Sequence, residues 1–184
     1  MNKHETSYKY IIASFIGLLL VGTAIYAQQT KSANPVNSSN TNQNITSEPE
    51  TKRLAPNFTL DLLNGGSVTL ADFRGKKPVV LDFFATWCPN CRRDMPHLNG
   101  LYEKYKDQIE VIGVDLQEQA PLVQKFVTDL ELDFPIALDI NGAVARQYGV
   151  RYTNFHILID KEGKVVGSIP GDIKEEDFIK LINL

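Results

Sequence analysis

Apolar positions are distributed along the chain in three different ways. From Tyr10 to Ala27 no residue is charged. From Gln28 to Arg53 large apolar residues nearly vanish, and Asn, Ser, Thr and Gln take their place. From residue 54 onward apolar and polar positions recur with the periods of strands and helices. "FTLDLL" and "SVTL" flank Gly65-Gly66 and predict a short β-hairpin. "PVVLDFF", Pro78 to Phe84, is almost unbroken, which predicts a central strand covered on both faces. A helix is predicted from Pro89 to about Lys106. "IEVIGVDL" predicts the next strand. In "APLVQKFVTDLEL" the apolar residues Leu122, Val123, Phe126, Val127 and Leu130 have helical spacing. "FPIALD" predicts a strand, and "GAVARQYG" a short helix closed by Gly149. "FHILID" and "KVVGSI" predict a second hairpin, and "KEEDFIKLINL" a closing helix. This alternation predicts an α/β fold with a mixed central sheet.

The first fifty residues read differently. Tyr10 to Ala27 would span about 27 Å as a helix, close to the ~30 Å of a hydrocarbon core. Lys3 and Lys9 precede it, so residues 1–9 are expected in the cytoplasm and the rest outside. Residues 10–27 are therefore expected to be one transmembrane signal anchor. Gly22-Thr23-Ala24 leaves a cleaved signal peptide as the alternative. Residues 28–53 cannot bury enough surface to fold and are expected to be a disordered linker with a reach of about 28 Å. Residues 54–184 are expected to form one domain. The expected location is the cell membrane, single-pass, with that domain extracytoplasmic. A net charge of −3 without a basic stripe argues against nucleic acid.

The candidate chemistry lies in "ATWCPNCRRDMP", residues 85 to 96. Cys88 and Cys91 are the only two cysteines. Pro89 suits the first position of a helix, which makes Cys88 its N-cap. There the helix N-terminus favours a thiolate and lowers the thiol pKa. Cys91 lies one turn on, within reach of a disulfide. A structural disulfide over so short a loop would stabilise little. A metal site needs further ligands. His4 falls across the membrane and His97 on another helical face from Cys91, so only His156 remains as a third ligand. That metal-binding or metal-delivery reading is the rival. A C-x-x-C within an α/β pattern points instead to redox chemistry. Asp82 interrupts the apolar strand six residues before Cys88. A buried carboxylate keeps its proton to a raised pKa, so Asp82 is a candidate proton acceptor for Cys91. Asp94, three residues beyond Cys91, either tunes the site or is a solvated charge. Trp87 is expected to pack over the thiols, with core packing as the alternative.

"VVLDFFATWCPNC", "RRDMPHL", "FPIALDINGAVARQYGV" and "ILIDKEGKVVG" resemble the membrane-anchored thiol-disulfide oxidoreductases of the thioredoxin superfamily, the TlpA/ResA type with a redoxin domain. The resemblance covers about residues 54–184. It implies a thioredoxin fold with an N-terminal hairpin and an inserted strand and helix around residues 110–130. It implies Cys88 as nucleophile, Cys91 as resolving thiol and Asp82 as the acid, with no organic cofactor. It implies protein substrates with disulfides or thiols, apocytochrome c among the candidates, and a membrane or extracytoplasmic redox partner. Pro89 and Asn90, between the cysteines, would shape the site. One departure is large. Where the family carries a cis proline, this chain has Asn154, in "RYTNFHILID". A cis bond before a non-proline costs about 3–4 kcal/mol. The Thr153–Asn154 bond is therefore expected to be trans. The loop is expected to stay beside Cys88 with a more open, polar pocket. Thr153 is expected to keep the role of offering backbone groups to a client. Peroxiredoxins differ by wanting Thr where this chain has Ala85.

Protease added to intact protoplasts should release a soluble fragment of about residues 54–184. Protection of that fragment in the intact protoplasts would contradict the outward orientation.

Overall fold

The computed structural model describes residues 53–184. The expected anchor at 10–27 and nearly all of the linker at 28–53 lie outside the described residues. Among the described residues, no helix is long and apolar enough to cross a membrane.

The chain opens with a small hairpin, β1 (Thr59–Asp61) and β2 (Ser67–Thr69), paired antiparallel. Gly65 and Gly66 in its turn have φ of 91° and 78°, a left-handed conformation that glycine adopts without steric cost. A 3-10 turn, Leu70–Phe73, leads on; the sequence pattern had not suggested it. The central sheet then uses β3 (Val79–Phe84), β4 (Glu110–Leu116), β5 (Ile136–Asp139), β6 (Phe155–Ile159) and β7 (Val165–Pro170). Their spatial order is β5-β4-β3-β6-β7. β3, β4 and β5 run parallel, and β6 and β7 run antiparallel to their neighbours. The helices are α1 (Pro89–Tyr105), α2 (Ala120–Asp129), α3 (Ala143–Gln147) and α4 (Glu175–Ile182).

β3 lies in the middle of the sheet, and all six of its residues are buried. Its side chains alternate between two cores. Val80 and Phe84 join Leu98 of α1, Phe126 of α2 and Phe178 of α4 on one face. Leu81 and Phe83 join Phe58 and Val68 of the hairpin and Val144 of α3 on the other. The near-continuous apolar run follows from cover on both sides. Asp82 falls between Val80 and Phe84 and so shares their face, beneath α1. His156 is its direct partner across the β3–β6 ladder.

α2, the helix of the expected insertion, supports this arrangement. Phe126 stacks on Phe84 at 5.6 Å between ring centroids. The Arg92 guanidinium of α1 sits 4.7 Å above the Phe126 ring. Truncating Phe126 would therefore empty the space beneath the turn that carries the cysteines. Phe126→Ala should cost about 3–5 kcal/mol in urea denaturation. A loss below about 1 kcal/mol would show that α2 is peripheral to the core.

Candidate active site

β3 ends at Phe84, and after four intervening residues α1 begins at Pro89. Cys88 is the N-cap, with extended backbone (φ −79°, ψ 114°). Its carbonyl accepts the first helical bond from Arg92 N at 3.2 Å. Its Sγ accepts from Cys91 N at 3.1 Å. The sulfur thus occupies the place of a capping oxygen, at the positive end of the helix. Cys88 and Cys91 are disulfide-bonded, with Cα atoms 5.3 Å apart. Cys88 is 4% exposed and Cys91 fully buried, so Cys88 is the outer sulfur. Pro89 and Asn90 between them face solvent. Asn90 Oδ1 accepts from Arg93 Nη1 at 3.0 Å. Arg93 Nη2 in turn donates to both oxygens of Asp172, at 2.7 and 2.8 Å.

Beneath the sulfurs lie three buried titratable groups. Asp82 is 1% exposed, Asp94 3%, and His156 is fully buried. His156 Nε2 stands 3.3 Å from Asp82 Oδ1 and 3.6 Å from Asp94 Oδ2. Neither approach is aligned as a hydrogen bond, and both Asp82 oxygens and both ring nitrogens lack an aligned partner. Burial raises the Asp82 carboxyl to about 7. Burial likewise raises Asp94, to about 6, although the facing His156 opposes the shift. Burial lowers His156, against the pull of Asp94. The solvated reading of Asp94 is thereby removed.

The loop before Cys88 is held from the other side. Glu118, just beyond β4, accepts from Thr86 N at 2.5 Å and from Thr86 Oγ1 at 2.7 Å. Glu118 N donates to Asp115 Oδ2 at 3.1 Å, and burial raises Asp115 to about 7. Sequence reading missed this clamp. Its one visible signal was Asp115 within the apolar run of β4.

The Thr153–Asn154 bond is trans, as expected. Asn154 has φ 57°, in the left-handed region, where Asn is among the best tolerated residues after Gly. Its carbonyl accepts from Gly171 N at 2.8 Å, and its Nδ2 donates to Asp172 Oδ1 at 3.1 Å. The expected open, polar pocket does not form around it. Asn154 is only 4% exposed, because its amide turns inward to bond Asp172. Thr153 lines a groove of about 460 Å³ together with Trp87, Leu116, Val150 and Tyr152. The core-packing alternative for Trp87 is excluded. At 71% exposed it is not packed in the core, and it lines the same groove as Thr153.

The rival metal reading lacks a ligand set. His156 faces Asp82 and Asp94, and among the described residues no three His, Cys, Asp or Glu side chains are grouped to hold a metal ion.

Residues 51–168 match the AhpC/TSA family. A thiol-disulfide oxidoreductase ResA from Bacillus thuringiensis is 42% identical over 132 residues, 70% of this chain and 76% of that protein. The chain belongs to the AhpC/TSA family. The ResA of Halalkalibacterium halodurans is 41% identical over 132 residues, 70% of this chain and 74% of its own. The crystal structure of the thioredoxin domain of a Bacteroides vulgatus thiol-disulfide oxidoreductase superposes with TM-score 0.65 at 29% identity, covering 72% of this chain and 97% of that one. The thioredoxin-like fold expected from the resemblance is thus the fold observed. The enzyme class follows from the same matches: thiol-disulfide oxidoreductase. In this AhpC/TSA domain the carboxyl paired with His156 across the ladder is also an electrostatic liability.

The liability has a pH signature. Between its ordinary value of 3.8 and its folded value of about 7, Asp82 binds more proton folded than unfolded. Its contribution to stability therefore falls as pH rises through that window and levels off above it. Asp82→Asn should gain about 2–4 kcal/mol at pH 8 and almost nothing at pH 4. Urea denaturation at the two pH values checks this. An equal gain at both would mean that desolvation of the charge is not the cause.

Proposed function

We propose that this chain exchanges the Cys88–Cys91 pair with thiols and disulfides of protein clients outside the cytoplasm, held to the membrane by residues 10–27. The observation that carries the reading is the Cys88 sulfur at the N-terminus of α1, accepting from Cys91 N. That position stabilises a thiolate on Cys88. In the reducing direction, the Cys88 thiolate attacks a client disulfide, and one client sulfur leaves as thiolate and takes up a proton. Cys91 then gives its proton to Asp82 and attacks Cys88 Sγ. The second client thiolate leaves, and the Cys88–Cys91 disulfide remains. Two electrons have passed from the protein dithiol to the client. The reverse sequence oxidises a client dithiol.

The surroundings support a polypeptide substrate. Trp87 and Tyr152 are exposed aromatic side chains on one groove, 71% and 55% accessible. Arg146 and Arg151 stand on the same groove and supply positive charge. Thr153 lies along it and is placed to offer backbone groups to an extended client. Relatives named thiol-disulfide oxidoreductase ResA support the same class of client. The outward location rests on the apolar run at 10–27 and the lysines before it.

Cys88→Ser should abolish exchange with a disulfide-bonded test protein. Cys91→Ser should instead accumulate mixed disulfides that resolve on adding dithiothreitol, visible on non-reducing gels. Accumulation in the Cys88 variant, with none in the Cys91 variant, would reverse the two roles.

A further inference from the structure

His156 has no part in the steps above, yet it is fully buried at the centre of the site. Its position is set by the ladder, which pairs it directly with Asp82. Side chains on one face of an antiparallel pair lie about 5 Å apart at Cβ, so the imidazole and the carboxyl cannot avoid each other. The third member arrives from above. Asp94 projects from α1, one turn past Cys91, and reaches the same Nε2. An imidazole within 3.3 and 3.6 Å of two carboxyls from two other elements is a built cluster rather than a packed core residue.

Protons decide what such a cluster can do. With both carboxyls ionised and the ring neutral, it would bury two negative charges without water. One added proton leaves a single negative charge, and that proton can sit on Asp82, on Asp94 or on the imidazole. Nε2 stands 3.3 and 3.6 Å from the two carboxyls, so a small reorientation of the side chains lets one proton serve either. A more distant negative charge comes from Asp172, after β7, but Arg93 and Asn154 already hold it. The disulfide above brings no charge until it is reduced.

We propose that His156 is a positioning residue for the disulfide chemistry, bridging Asp82 and Asp94 so that the proton leaving Cys91 is held by three groups together rather than by Asp82 alone. The proposal rests on Cys91 being the resolving thiol. In the resolving step Cys91 S–H loses its proton to Asp82, and the pair Asp82–His156 relaxes by shifting one proton toward Asp94. The Cys91 thiolate then forms the bond to Cys88 Sγ, and the client thiolate departs with the bonding electrons. On reduction the same proton returns. Burial disfavours charge on all three groups, raising both carboxyls and lowering the ring, while the Asp94–His156 attraction opposes both of their shifts.

Removing the ring's ability to take up a proton should force the proton onto Asp82 and move the base to higher pH. The reduced full-length chain reacts with 5,5′-dithiobis(2-nitrobenzoate) in two phases. The first thionitrobenzoate is released as Cys88 attacks, and the second as Cys91 displaces it from the mixed disulfide. His156→Gln keeps an N–H near the Nε2 position but cannot accept a proton at neutral pH. It should slow the second release about tenfold at pH 6.5, equivalent to moving its pH profile up by one unit. The first release should stay within twofold of wild type. A wild-type pH profile for the second phase in His156→Gln would reduce His156 to a hydrogen-bond donor and overturn the proposal. Equal slowing of both phases would overturn it too, since that marks a general structural defect. Absence of a two-phase reaction in the wild-type chain would instead overturn the reading of Cys88 and Cys91. The folded wild-type and Asp94→Asn chains supply a measurement that does not depend on the His156 variant folding. Histidine ring NMR should show the His156 titration falling to lower pH when Asp94 is neutralised, with His97 unmoved. An unmoved His156 would contradict the bridge.

Discussion

Complete burial of β3 is the constraint from which the rest follows. A strand covered on both faces has no water to offer a carboxyl. Asp82 sits in the middle of that strand, at 1% exposure. Its neighbours Val80 and Phe84 anchor one core, and Leu81 and Phe83 the other. The strand cannot move Asp82 to solvent without flipping every one of those residues to the wrong face. The fold therefore holds a carboxyl where its charge is opposed, directly below the helix that carries the two sulfurs. That cost in stability raises the Asp82 carboxyl to about 7, which is what the proposed role of a base near neutral pH requires.

The supports around the sulfurs divide the work. The helix N-terminus favours negative charge on Cys88, the outer sulfur. The buried cluster of Asp82, Asp94 and His156 is the proposed holder of the proton from Cys91, the inner one. Glu118 fixes the turn before Cys88 by accepting from both donors of Thr86, its backbone N–H and its hydroxyl. Arg93 ties the Cys-Pro-Asn-Cys turn to Asp172, and Asn154 binds the same carboxyl from the facing loop. Asp172 thus joins the first turns of α1 to the segment at Asn154. Its exposed ion pair with Arg93 is worth little by itself. Its value is geometric, since it shares one acceptor between the two segments.

Most of the element order was legible because each segment's period agreed with its place in the sheet. The unbroken run of β3 announced its double cover, and the Gly65-Gly66 turn announced the hairpin. The sulfur pair was legible for a local reason: Pro89 and the spacing of Cys88 and Cys91 fix a helix start within a few residues. The proton cluster was not. Asp82 could be suspected from the strand it interrupts, but His156 lies far along the chain, and only strand pairing brings it opposite. Read by itself, His156 resembled a metal ligand. Asp94 was ambiguous because helical spacing says which face it shares with Cys91, not whether that face is covered. For Trp87 the core-packing alternative failed. A large indole is usually buried, and here it stands on an empty groove, where a client rather than the core would cover it. Asn154 showed that the loop could dispense with a proline. It did not show that the amide would turn inward to Asp172.

The central claim is that Asp82 holds a proton near neutral pH and exchanges it with Cys91. Carbon-13 titration of the Asp82 carboxyl, in the oxidised and the reduced protein, tests it directly. In the oxidised protein the carboxyl should titrate at about 7. In the reduced protein it should titrate in two steps, because its proton is then coupled to that of Cys91. A single transition near the ordinary value of 3.8, unchanged by reduction, would contradict the account.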